Sequence, residues 1–157
     1  KEQAVAEGFL RHLKDAHDRD ALCFPATEGA VELLHELRAA GHRIAIATGD
    51  WRETITFKMR AAGIPYEGIP IVTSSEHYSR ADIIRAAVAE AGGPLDEAVY
   101  VGDGLWDLRA CEQLGIPFIG VGHRKERLQK AGAHHVLDDL RPAGFWLVRN
   151  SIHVAPA

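Results

Sequence analysis

Cysteine is scarce in these 157 residues: only Cys23 and Cys111 occur, far apart in the chain. That leaves no disulfide framework to build on. Both are expected to be small buried or half-buried thiols of a reducing, cytoplasmic compartment. Positive charge is also in short supply. Eighteen Lys and Arg against 22 Asp and Glu give a formal net charge of −4, and no basic cluster approaches the density of a nucleic-acid-binding surface. No apolar run comes near the ~20 residues of a membrane span, and the first residues are polar, without a signal-peptide pattern. The nine histidines include the adjacent His134-His135 but no pair at the helical spacing of a zinc site, so they read as mostly surface residues. Internal repeats and low-complexity linkers are absent as well. What remains is one domain's worth of chain with an ordinary share of apolar residues, enough to bury a sizeable core.

From about residue 27 the pattern alternates. Ala30, Leu33, Leu34 and Leu37 form one helical face behind Thr27 as N-cap, closed by Gly41. Residues 44–47 (Ile-Ala-Ile-Ala) read as a short buried strand, and Asp50 and Glu53 stand in capping-box spacing for a helix that runs to Gly63. Residues 69–73 give the next strand. A helix opening at Ser79 buries Ile83, Ile84, Ala87, Val88 and Ala91. Residues 99–101, 117–121 and 135–137 read as strands, separated by helices over 107–114 and 126–131. Strands alternating with helices of this length predict a parallel sheet covered on both faces. Residues 1–24 fall outside the alternation and read as one helix plus a charged connector. The tail holding Phe145, Trp146, Leu147 and Val148 is expected to be a last piece of sheet edge or a covering segment.

Polar residues gather at three strand ends, where open α/β sheets bind ligands. Thr48-Gly49-Asp50 leads from a strand into a helix. A hydroxyl followed by free amides there is either an anion cradle or a plain helix cap. Arg80 lies in the first turn of the helix behind Ser79, facing the positive end of the helix dipole. A bound phosphate, or pairing with Asp82 or Glu76, would offset that. Asp103 sits in a Gly-Asp-Gly turn after the third strand, and Asp107 follows four residues on. Each aspartate alone suits an Asx turn or an N-cap. Side by side, they suit a hard cation such as Mg²⁺. Trp51 and Trp106, in two of these loops, either wall the pocket or, as is commoner, pack under neighbouring helices; the second is the expectation.

The ordered set Ile44-Ala45-Ile46-Ala47-Thr48, then Arg80, then Val101-Gly102-Asp103-Gly104-Leu105-Trp106-Asp107 resembles the second, third and fourth motifs of the haloacid dehalogenase-like hydrolases. That superfamily consists mostly of Mg²⁺-dependent phosphatases. The resemblance extends from about Phe24 to Leu137. It implies a Rossmann-like three-layer α/β sandwich with a mainly parallel sheet and the remnant of a helical cap at the N-terminus. It further implies that Thr48, with Gly49 and Asp50, holds a phosphoryl group and that Asp103 and Asp107 hold Mg²⁺, directly or through water. Arg80 takes the place usually held by lysine. Arginine there is a departure, because it keeps its proton and donates in a fixed planar fork. The implied partner is a small phosphorylated molecule, and neither a nucleic acid nor a membrane.

The family's first motif, an apolar strand ending in Asp-x-Asp-x-Thr, has no good counterpart. Asp18-Arg19-Asp20 matches the spacing of the two acids, but Lys14, Asp15 and His17 precede it in place of a buried strand. In the family that strand lies between those carrying the second and fourth motifs. Without it the sheet would hold a gap of ~10 Å, two strand spacings, with unpaired backbone on both sides. The expectation is therefore a nucleophilic aspartate upstream of Lys1, with residues 1–24 the end of a cap and its linker and residues 25–157 the α/β core. Phe145 to Val148, or a partner chain, is the competing occupant of the gap. The competing functions are an inactive binding or scaffold protein, should the chain be complete, and a dehalogenase or phosphonate-cleaving variant.

Overall fold

Left-handed glycines and one serine set several of the helix limits in the computed structural model, which describes residues 2–152. After α1 (Glu2–Arg19), the chain enters α2 (Ala30–Ala39) through Gly29 at φ 80°. A Cβ on Gly29 would come within 2.3 Å of the Arg141 amide nitrogen, so glycine is required there twice over. Gly29 thereby takes the capping position expected of Thr27. Strand β1 (Ile46–Ala47) leads to α3 (Arg52–Ala61), whose N-cap is Trp51 with no side-chain cap. The expected Asp50–Glu53 box does not form, because the Asp50 carboxylate pairs with Lys58 Nζ at 2.9 Å instead. Strand β2 (Ile71–Val72) precedes α4 (Arg80–Glu90), where Ser79 Oγ accepts the Asp82 amide at 3.1 Å as the sequence predicts. The remaining elements are β3 (Tyr100–Gly102), α5 (Leu105–Leu114), β4 (Phe118–Val121), α6 (Lys125–Lys130), β5 (His135–Leu137) and α7 (Pro142–Ser151).

All strand pairs are parallel, and they form two separate groups. One is β1–β2, with Ile46 opposite Ile71 and Ala47 opposite Val72. The other is β3–β4–β5, with Tyr100 opposite Phe118 and Ile119 opposite His135. Among the described residues no backbone pairing joins β1 to β3. Their link is a side chain, the Tyr100 hydroxyl, which donates to the Ala47 carbonyl at 3.0 Å. This seam coincides with the gap expected from the absent first-motif strand. Residues 145–148 do not fill it: they lie in α7, behind Pro142 at a helix start, and cover one face of the sheet.

Helices pack on both faces, giving three layers. On one side Leu33 of α2 and Phe145 of α7 close over Ile119. On the other, Ile84 of α4, Leu108 and Cys111 of α5 and Leu128 of α6 pack with Phe118. A smaller cluster of Val72, Ile83 and Ala87 seats α4 on β2. Both cysteines are free, Cys111 buried and Cys23 half-buried. Helix α1 stands outside the layers and rests on α3, with Phe9 edge-on to Trp51 and His17 and Phe24 around Phe57.

Candidate active site

The polar strand ends converge at the carboxyl edge of the sheet, on both sides of the seam. From the first group, Thr48 follows β1. Its amide donates to the Val72 carbonyl at 3.0 Å, and its Oγ1 accepts the Asp50 amide at 3.2 Å. The Thr48 hydroxyl proton is left to donate elsewhere. From the second group, Asp103 and Asp107 follow β3 in contrasting settings. Asp103 is exposed, with no hydrogen bond or ion pair among the described residues. Asp107 is 4% exposed and heavily engaged. Its Oδ1 takes Arg80 Nε at 2.9 Å and the Tyr100 hydroxyl at 3.3 Å, and its Oδ2 takes the Gly104 amide at 3.1 Å.

Space explains the two glycines around Asp103. Neither has a positive φ. A Cβ on Gly102 would stand 2.8 Å from Asp107 Oδ2 and 2.8 Å from the Tyr100 ring, and one on Gly104 would meet the Trp106 ring at 2.4 Å. The Gly-Asp-Gly pattern lets a buried carboxylate and two aromatic rings approach the backbone.

Arg80 answers the dipole problem in a way neither Asp82 nor Glu76 does. Asp82 is taken by Ser79 and Arg85, and Glu76 by Thr73 and Arg52. The counter-charge of Arg80 is Asp107, from a different helix. Arg80 Nη1 is enclosed and has no hydrogen-bond partner, a buried donor that costs free energy until an acceptor meets it. Burial raises the Asp107 carboxyl above the ordinary carboxylate range, against the pull of Arg80, the Gly104 amide and the Tyr100 hydroxyl. Burial and the Asp107 charge push the Tyr100 phenol well up, so it stays a donor.

Two features are absent from the sequence reading, Tyr100 and the crevice beside Asp103, and a third, Trp106, takes the place that reading set second. Tyr100 lies two residues before Gly102, so strand alternation would have put both on one face toward Asp107. Trp106 is 52% exposed and stands at the rim of the site, whereas Trp51 does pack against a helix, α1. Asp103 and Trp106 share a narrow crevice with Arg124 and Arg127, which follow β4.

No group of three or more His, Cys, Asp or Glu gathers as a metal centre among the described residues. The Asp103–Asp107 pair fits part of a Mg²⁺ shell. Its donors are carboxylate oxygens, as that ion requires, and Asp103 is unengaged. Both Asp107 oxygens already accept hydrogen bonds, which suits an outer role beside the ion.

A family model for haloacid dehalogenase-like hydrolases matches residues 3–115. A phosphoglycolate phosphatase from Caulobacter vibrioides is 27% identical over 114 residues, covering 69% of this chain and 48% of that protein. The pyrophosphatase PpaX of Bacillus velezensis is 28% identical over 110 residues, covering 68% of this chain and 51% of that protein. The chain therefore spans about half the length of these curated relatives. Among solved structures, a hydrolase from Pseudomonas syringae superposes with a TM-score of 0.75 at 28% identity, over 88% of this chain and 68% of that one. The chain belongs to the haloacid dehalogenase-like hydrolases.

Proposed function

We propose that this haloacid dehalogenase-like hydrolase forms part of a Mg²⁺-dependent phosphomonoesterase that works through an aspartyl-phosphate. The observation that carries this reading is the seam. Thr48 stands on one side of it, Asp103 and Asp107 on the other, and Arg80 reaches Asp107 from α4. A strand seated between β1 and β3 would pair both open edges and bring its carboxyl end to these four residues. An aspartate there, contributed from upstream of Lys1, is the nucleophile in this reading.

Each residue of the chain then has a task. The Thr48 hydroxyl donates to a phosphoryl oxygen, beside the exposed backbone at Gly49 and the half-buried Asp50. The partnerless Nη1 of Arg80 supplies a fixed cationic donor between nucleophile and phosphate. Asp107 holds Arg80 by its Nε, while Asp103 offers the open carboxylate for the metal. When bound, Mg²⁺ neutralises phosphoryl charge, which with in-line positioning is most of what phosphoryl transfer needs. The substrate is a small phosphorylated molecule, in keeping with the phosphatase and pyrophosphatase relatives. Helix α1, within residues 1–24, is the last helix of a cap over the core of residues 25–157, and two free thiols suit a cytoplasmic setting. No helix among the described residues is long and apolar enough to cross a membrane.

The test is phosphate release from an aryl phosphate by the protein with its upstream sequence, with and without Mg²⁺. Turnover that needs the ion and disappears in Asp103→Asn supports the reading. Turnover unaffected by that substitution contradicts the assignment of the metal site.

A further inference from the structure

Gly49 stands where no backbone rule asks for glycine. It is not among the glycines with positive φ, so any residue could adopt its conformation. What the position lacks is room. A Cβ there would lie 3.0 Å from Nη2 of Arg80 and 3.5 Å from both Cζ and Nη1. A side chain at 49 would therefore press on the terminal end of the guanidinium fork, closest at Nη2. Its Nε is tied to Asp107 Oδ1 at 2.9 Å, its side chain is only 19% exposed, and Nη1 is enclosed. Rotating the fork away from a new side chain would therefore pull Nε off Asp107.

We propose that Gly49 is the positioning residue for Arg80. The bare Cα leaves the room for an arginine to stand at the first turn of α4 with Nε on Asp107 and Nη1 enclosed and without a partner. Lysine in that place carries a single terminal nitrogen and no lateral one, so it makes no such demand on residue 49. Gly49 and Arg80 are thus a matched pair, and a side chain at 49 harms the protein through Arg80. The proposal rests on the phosphatase reading only where phosphate binding or turnover is the readout.

The test is a double-mutant cycle in the protein with its upstream sequence: wild type, Gly49→Val, Arg80→Lys, and the two together. Each is measured for thermal midpoint, for affinity toward inorganic phosphate with Mg²⁺, and for kcat and KM on an aryl phosphate. With Arg80 present, Gly49→Val is expected to lower the midpoint and weaken phosphate binding about tenfold, the size of coupling usual for side chains in contact. In the Arg80→Lys background the same substitution is expected to cost less than about twofold. If Gly49→Val costs the same in both backgrounds, the glycine serves the backbone alone and the proposal fails. Gly49→Ala, whose single Cβ probes the same contact, replaces the valine variant if that does not fold. If none of the proteins binds phosphate or turns over substrate, the phosphatase reading falls, and the midpoint cycle still decides the pair: coupling supports it, additivity overturns it.

Discussion

The β3–β4–β5 group and the β1–β2 group are secured by different means. In the first, strand ladders run on both sides of β4, which is buried along its whole length between Leu33 and Phe145 on one face and Leu128 on the other. In the second, two residues pair with two, and the strands lean on α4 through Val72, Ile83 and Ala87. Between the groups there is no ladder: Ala81 and Ile84 of α4 pack on Leu108 and Cys111 of α5, Arg80 meets Asp107, and the Tyr100 hydroxyl meets the Ala47 carbonyl. The candidate site residues divide along the same line. One group is a finished scaffold, and the other is held against it by the apolar packing of Ala81, Ile84 and Ala47 together with the Arg80–Asp107 pair.

Removing the charge across the seam should cost most. Asp107→Ala leaves the Arg80 cation buried and unpaired, and should destabilise the chain by about 3–5 kcal/mol in urea unfolding. A cost near zero would mean that the two groups are joined in some other way. Cutting into the finished group comes next. Leu128, 1% exposed, should cost about 2–5 kcal/mol on truncation to alanine, with amide exchange quickening in β4 and β5 before β1 and β2. Tyr100→Phe removes only the hydroxyl bridge and should cost about 1 kcal/mol.

The smallest effect belongs to Glu76, at the edge of the weaker group. Partial burial raises its carboxyl, but hydrogen bonds from Thr73 and Arg52 outweigh that and hold it below the ordinary glutamate range. A depressed carboxylate stabilises above its unfolded pKa and loses that contribution as pH falls through its folded one. The pair with Arg52 is partly solvent-exposed, so Glu76→Gln should cost less than about 1 kcal/mol at neutral pH. The gap between its stability and that of the wild type should begin to narrow as pH falls through the ordinary glutamate range, about 4.3, and close only below the lowered folded value.

Helix α4 was legible because its start is local: Ser79 and Asp82 stand three residues apart and cap each other. The start of α3 was not, because Asp50 finds Lys58 two turns along the helix rather than the amides beside it. Helix α7 was read as sheet edge or cover, since an apolar run of four carries no period. Pro142 was the signal for a helix, and Phe145 bears out the covering role. In the site, residue types at strand ends located Thr48, Arg80, Asp103 and Asp107. Which of them touch was not readable, because the Arg80–Asp107 contact joins two helices and depends on the bare Cα of Gly49. The seam, by contrast, was expected from the strand order that the family resemblance implies.

The seam is also where the account is tested most directly. The Ile46 amide donates to the Pro70 carbonyl just ahead of β2 and the Thr48 amide to Val72 within it, while the Tyr100 amide donates to the Pro117 carbonyl just ahead of β4. Strand alternation therefore turns the Ala47 and Val101 amides into the seam. Hydrogen exchange at these amides, measured by NMR on residues 1–157 and on a chain extended upstream of Lys1, reads whether a strand sits there. The account predicts fast exchange at Ala47 and Val101 in the shorter chain, and protection matching Ile46 and Tyr100 in the longer one. Unprotected Ala47 and Val101 amides in an extended chain that hydrolyses phosphate esters would contradict it.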